Sequence, residues 1–129
     1  MDTVAKRTAK RFLRAVTALE KALTLEKLPE NAERDAVLLR FELSAELMPK
    51  VLQRILSERG ADVVLPKDAV RAARAADLIS EQEGEILLAI IDERNRMVHD
   101  YSEEYALELL GRIHSEYGRV LRAVADKVQ

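Results

Sequence analysis

Cysteine and tryptophan are absent from this 129-residue chain, and its aromatics amount to two Phe and three Tyr. Without cysteine there is no disulfide framework, no thiol nucleophile and no Cys-ligated zinc or iron–sulfur centre. So few aromatics leave little for the base-stacking platforms of RRM or OB domains. Four Gly and three Pro mean few turns, and no phosphate-binding Gly-rich loop, G-x-S-x-G elbow or H-E-x-x-H pair occurs. No metal site and no cofactor is therefore expected. The longest apolar run, Ile86 to Ile91, is too short for a membrane span, and Lys6 and Arg7 stand where a signal peptide would be apolar. The expectation is a soluble, cytoplasmic protein with no membrane contact. A net charge of −2 does not suit a general nucleic-acid coat, so any such contact must rest on a local patch.

What is abundant is Ala, Leu, Glu and Arg, the strong helix formers. The whole chain, 1–129, reads as one all-α domain, an up-and-down bundle of about five helices. Apolar residues at Val4, Phe12, Val16, Leu19, Leu23 and Leu25/Leu28 predict a first helix that Pro29 ends. Its other face carries Lys6, Arg7, Lys10, Arg11 and Arg14 within an arc of about 140°, a basic stripe that is either a solvated face or a phosphate-attracting surface. A second helix runs from about Asn31 to Arg59, with Leu39, Leu43 and Leu47 widening its apolar arc and Gly60 as its stop. Pro49 predicts a kink or break near Ala45–Met48. Glu42, Glu46 and Lys50 form a polar ladder on that helix. An Ala-rich third helix covers about Pro66 to Asp77, and Ser80-Glu81-Gln82-Glu83 is a capping box opening a fourth. Ser102 caps a fifth, reaching about Lys127, with Leu107, Leu110, His114, Tyr117, Leu121, Val124 and Val128 near heptad spacing. Such a stripe predicts a two-fold homodimer.

Two histidines are the scarcest reactive groups. His114 lies on the apolar stripe and reads as a packed core or interface imidazole. His99 instead follows an apolar helical run in Arg94-Asn95-Arg96-Met97-Val98-His99-Asp100-Tyr101. On a regular helix Arg94 and His99 are about 7.5 Å and 140° apart, so they share a cleft only if the helix unwinds after Val98. An imidazole is a general base or acid near neutral pH, and a guanidinium stabilises a phosphate gaining charge. Together they are a minimal set for metal-independent RNA cleavage. The surrounding run, Ser80 to Tyr105, holds eight acids against two arginines, so an RNA-attracting field has to come from the basic stripe.

Arg94-Asn95-x3-His99-x-Tyr101, at the end of the penultimate helix, resembles the HEPN superfamily, and specifically the RX4HXY signature of HepT-type toxins. Phe41-Glu42-Leu43-x2-Glu46-Leu47-x2-Lys50-Val51-Leu52 is similar to the second helix of the branch called nucleotidyltransferase substrate-binding proteins. Pro66 to Ile79 and Glu85 to Tyr101 follow in that branch's order, and the resemblance covers about Phe12 to Ile113. It implies Arg94 and His99 as a ribonuclease pair, with Asn95 helping to hold the site where two protomers meet. It implies Tyr101 as the hydroxyl that an MNT-type nucleotidyltransferase antitoxin adenylylates, adding charge and bulk that repel RNA. Three readings stay open: a ribonuclease toxin, a non-catalytic substrate-binding subunit of a minimal nucleotidyltransferase, and a helical dimer in which Arg94 and His99 form only an interface hydrogen-bond or salt-bridge network with Asp92 or Asp100.

Overall fold

Hydroxyl side chains start three of the helices in the computed structural model, which describes residues 3–100 and 102–129. Thr3 accepts the backbone N–H of Lys6 at the head of α1 (Val4–Leu23). Ser80 and Glu83 form the reciprocal capping box that opens α4 (Glu81–Met97), as the sequence predicts. Ser102 accepts the N–H of Tyr105 at the start of α5 (Glu103–Arg112). The other helices are α2 (Ala32–Glu58), α3 (Pro66–Ala75) and α6 (Gly118–Lys127). A 3-10 turn, Pro29–Asn31, leads into α2, and its Glu30 and Asn31 have positive φ.

α1 rises and α2 descends beside it. The chain then climbs back through residues 60–65, which Gln53 fastens by donating to the Val64 carbonyl at 2.8 Å. α3 descends, α4 rises, and α5 and α6 return as one rod. Two ion pairs hold α3 antiparallel to α4: Lys67–Asp92 (2.6 Å) at its head and Arg74–Glu81 (3.1 Å) at its foot. Ala69 and Ala73 are fully buried, and Gly84 of α4 faces Arg74 so closely that a Cβ would meet its side chain. The Ala-rich third helix is thus a close-approach surface. One core draws on all six helices, with Phe12, Leu19, Phe41, Met48, Leu52, Leu87, Ile90, Leu109 and Leu121 at its centre. This is the all-α, up-and-down bundle of the sequence reading. Among the described residues no helix is long and apolar enough to cross a membrane.

Several details differ from expectation. α1 stops at Leu23, not Leu28, because Thr24 turns its hydroxyl onto the Lys21 carbonyl; Leu25 and Leu28 are exposed. α2 runs unbroken through Pro49, whose ring is buried in the core side of the helix, so packing outweighs the lost backbone donor. Leu39 and Leu43 are exposed and do not widen the packed arc. α3 ends at Ala75 rather than Asp77, since Asp77 takes a left-handed φ of 58° to close the helix.

The last helix departs most. The residues that face the core are Tyr105, Leu109, Ile113 and Tyr117, four apart each time. Four residues advance an α-helix about 40° past a full turn, so a regular helix would rotate this row out of the core. A π-turn at Ile113–Tyr117 absorbs the excess, with Gly118 donating to the Ile113 carbonyl. His114, expected in the packed stripe, is thereby turned outward and is exposed, as is Leu107. Val120, Leu121 and Val124 then complete the seam.

Candidate functional site

α4 supplies the residues singled out by sequence, and its C-terminus determines where they point. The last regular residue is Met97. The N–H groups of His99 and Asp100 both return to the Arg96 carbonyl at 2.9 Å, closing the helix in one tight turn. Asp100 holds this turn from two sides. Its Oδ1 accepts the Ser102 N–H at 3.0 Å, and its Oδ2 accepts from Arg96 at 3.1 Å. The Ser102 backbone N–H, ahead of the Ser102 hydroxyl and Arg96, holds the Asp100 carboxyl below the usual carboxylate range.

The two arginines of the motif therefore have separate roles. Arg96 lies over the Tyr105 ring, 4.0 Å from its centroid, and pairs with Asp100. Arg94 points the other way, into a groove of about 310 Å³ between α2, the head of α3 and α4. Ala45, Pro49, Pro66 and Ile91 are its apolar lining, and Glu46, Lys50, Gln53, Arg94 and Asn95 its polar lining. The Nε of Arg94 is buried with no acceptor. Asn95 and His99 are exposed, and among the described residues neither they nor Arg94 has a side-chain hydrogen bond or ion pair. Within one protomer neither Arg94 nor His99 pairs with Asp92 or Asp100. Asp92 is taken by Lys67, and Asp100 by Arg96.

Arg94 and Asn95 share the groove; His99 lies outside it, one turn beyond the helix end. One protomer does not gather all three residues into one cleft. Tyr101, the expected modification site, lies outside the described residues. Its neighbours Asp100 and Ser102 line a second groove of about 260 Å³, together with Arg34 and Tyr105.

Sequence reasoning missed the buried cluster beneath this turn. Glu93 is nearly buried and accepts from the Tyr105 hydroxyl at 3.0 Å, the Tyr117 hydroxyl at 2.9 Å and the Arg112 guanidinium. Tyr105 also donates to the Glu93 carbonyl, at 3.1 Å. Burial first, then the Glu93 carboxylate, pushes the Tyr117 phenol up to about 12 and that of Tyr105 higher still. The signal was present: Glu93 sits three after Ile90 and four before Met97, at an apolar-stripe position.

The acidic run is also less hostile to phosphate than its composition suggests. Six of its eight acids are engaged by cations or phenols: Glu81, Glu83, Asp92, Glu93, Asp100 and Glu103. The basic stripe of α1 is exposed, but it begins at the far end of the bundle. Lys6 and Lys127 line one hollow there, and Lys127 pairs with Glu83, about 24 Å of helix from His99. Among the described residues no group of His and carboxylates is arranged to hold a metal ion.

Among curated proteins, no sequence matches the chain. A solved structure from Thermus thermophilus is 32% identical, covering 92% of this chain and 98% of that one, with a TM-score of 0.81. A tri-AMPylated Shewanella oneidensis HEPN toxin, solved in complex with an MNT antitoxin, has the same fold: TM-score 0.80, 15% identity, 99% and 98% coverage. So does a toxin–antitoxin structure with AMP-PNP: TM-score 0.78, 14% identity, complete coverage of both chains. The family described as "Nucleotidyltransferase substrate binding protein like" matches residues 7–129. With nearly its whole length matched, the chain belongs to that family.

Proposed function

We propose that the protein is a HEPN ribonuclease toxin, cutting RNA without a metal ion at a site completed by a second copy of the chain. The observation that carries this reading is the end of α4. There Arg94, Asn95 and His99 are all left without partners among the described residues, while the charges of Glu93, Arg96 and Asp100 beside them are engaged. Unused hydrogen-bonding groups beside an open groove are what a ligand site requires, and a purely structural turn does not. In the proposed reaction His99 takes the proton of a ribose 2′-hydroxyl and the 2′-oxygen bonds to the adjacent phosphorus. The bond to the 5′-oxygen breaks, and that oxygen takes a proton from the His99 imidazolium of the second copy. The products are a 2′,3′-cyclic phosphate and a 5′-hydroxyl. Arg94 from each copy stabilises the charge on the crowded phosphorus, and Asn95 orients the phosphate.

The natural regulator is an MNT-type nucleotidyltransferase that adenylylates Tyr101, adding negative charge two residues after His99 in the chain. That the S. oneidensis HEPN toxin of the same fold is AMPylated and bound to an MNT antitoxin supports this pairing.

A second reading is a non-catalytic partner subunit that presents Tyr101 to the nucleotidyltransferase. The family description and the absence of His99 from the Arg94 groove favour it. One experiment separates the two. Purified chain is incubated with single-stranded RNA, alongside His99→Ala and Arg94→Ala. Cleavage by the wild type alone supports the toxin. Equal cleavage by all three, or by none, overturns it. A stable complex with the nucleotidyltransferase in the absence of cleavage then selects the subunit.

A further inference from the structure

The groove beside Arg94 is built for more than a phosphate. We propose that it is a nucleoside subsite: the base of an RNA nucleotide next to the scissile phosphate packs on Pro49, Pro66 and Ile91. The inference rests on the ribonuclease reading and adds where, beside the cut, the enzyme grips its substrate.

Three observations support it. The floor is apolar, made by two proline rings, an isoleucine and Ala45, with no aromatic side chain in it. Pro49 sits inside α2 at the cost of a helical hydrogen bond, and it has no N–H to give to the carbonyl of Ala45, another residue of the floor. Its ring instead fills that side of α2 and gives the groove a fixed apolar wall. The rim bears two cations, one carboxylate (Glu46) and two amides, a net positive lining. Arg94 offers a guanidinium whose buried Nε has no acceptor, Asn95 an amide with both donor and acceptor, and Lys50 an ammonium held only by a 3.5 Å contact to Glu46. Gln53 uses its NH2 on the Val64 carbonyl, which leaves its amide oxygen as a further acceptor.

The volume, about 310 Å³, lies at the small end of ligand sites and suits one nucleotide unit rather than a folded partner. An inorganic anion would use the rim and ignore the floor, whereas a nucleotide uses both.

The test titrates 15N-labelled full-length protein with AMP, ribose 5-phosphate and inorganic phosphate. AMP should shift the amides of Lys50, Gln53, Ile91 and Asn95, and bind about tenfold more tightly than ribose 5-phosphate, the gain from covering one face of a base with apolar side chains. Gln53→Trp, which fills the groove from its rim, should abolish those shifts. Lys50→Ala should weaken AMP binding with the base-dependent difference retained. Circular dichroism checks that both variants remain folded. Equal affinity for AMP and ribose 5-phosphate, or shifts confined to other residues, overturns the subsite. Its failure is distinguishable from that of the proposed function. RNA cleavage without AMP in the groove sinks the subsite alone, whereas AMP in the groove without RNA cleavage sinks the ribonuclease reading and leaves a nucleotide site unconnected to a cut.

Discussion

The Tyr117 hydroxyl, on the π-turn of the last helix, lies 2.9 Å from the Glu93 carboxylate on α4, directly before Arg94 in the chain. Tyr117 is itself stacked on Phe41 of α2, with ring centroids 5.8 Å apart. The contact therefore ties three helices together beneath the candidate site. Glu93→Ala would leave the buried Tyr117 phenol and Arg112 without their acceptor, and Tyr105 with the residue-93 carbonyl alone. It should lower unfolding free energy by about 2–4 kcal/mol, read by urea denaturation, whereas Glu93→Gln should lose less because its amide oxygen still accepts.

The same contact sets the alkaline limit. Both phenols hold their protons more tightly folded than unfolded, so the stability they add is complete below the unfolded value near pH 10. It is lost as pH rises through the folded value, about 12 for Tyr117 and higher for Tyr105. Tyrosinate absorbance should show these two residues ionising late and together with unfolding. An early ionisation of both near pH 10 in the folded protein contradicts the buried cluster.

Asp77 closes α3 in a left-handed conformation, with its N–H on the Arg74 carbonyl and that of Leu78 on Ala73. Gly60 does the same after α2, at φ 89°, where no Cβ resists it. Asp77→Gly should accordingly raise stability by about 0.5–1 kcal/mol, seen as a higher melting temperature.

His99→Ala and Arg94→Ala should leave unfolding free energy within about 0.5 kcal/mol of wild type, since neither side chain has a partner among the described residues. A large loss of stability in either variant would assign that residue to the structure of the turn rather than to a ligand.

Local rules made much of this legible beforehand. The Ser80 box, the Ser102 cap, the Gly60 stop and the Ala-rich third helix each depend on neighbours a few residues away, and each appears where the sequence puts it. What was hidden is tertiary. Heptad spacing assigned His114 inward, because a π-turn leaves no mark in a count that assumes regular winding. Pro49 predicted a break that burial in the core overrode. The acids near the motif looked repulsive until cations from other elements, Lys67, Lys127, Arg74 and Arg112, were brought to them. The motif itself was readable. Which of its two arginines was available was decided by Tyr105, a residue nine further along.

The π-turn gives the last rod an uneven tolerance of gaps in the chain. Removing one residue from its outward bulge, Ser115 for instance, would let the backbone relax into ordinary winding with Tyr105 and Val124 both still directed inward. Removing one from α6 would instead rotate everything beyond it by about 100°, carrying Val124 and Ala125 off their neighbours. The rod thus holds a spare residue at one position and none further on.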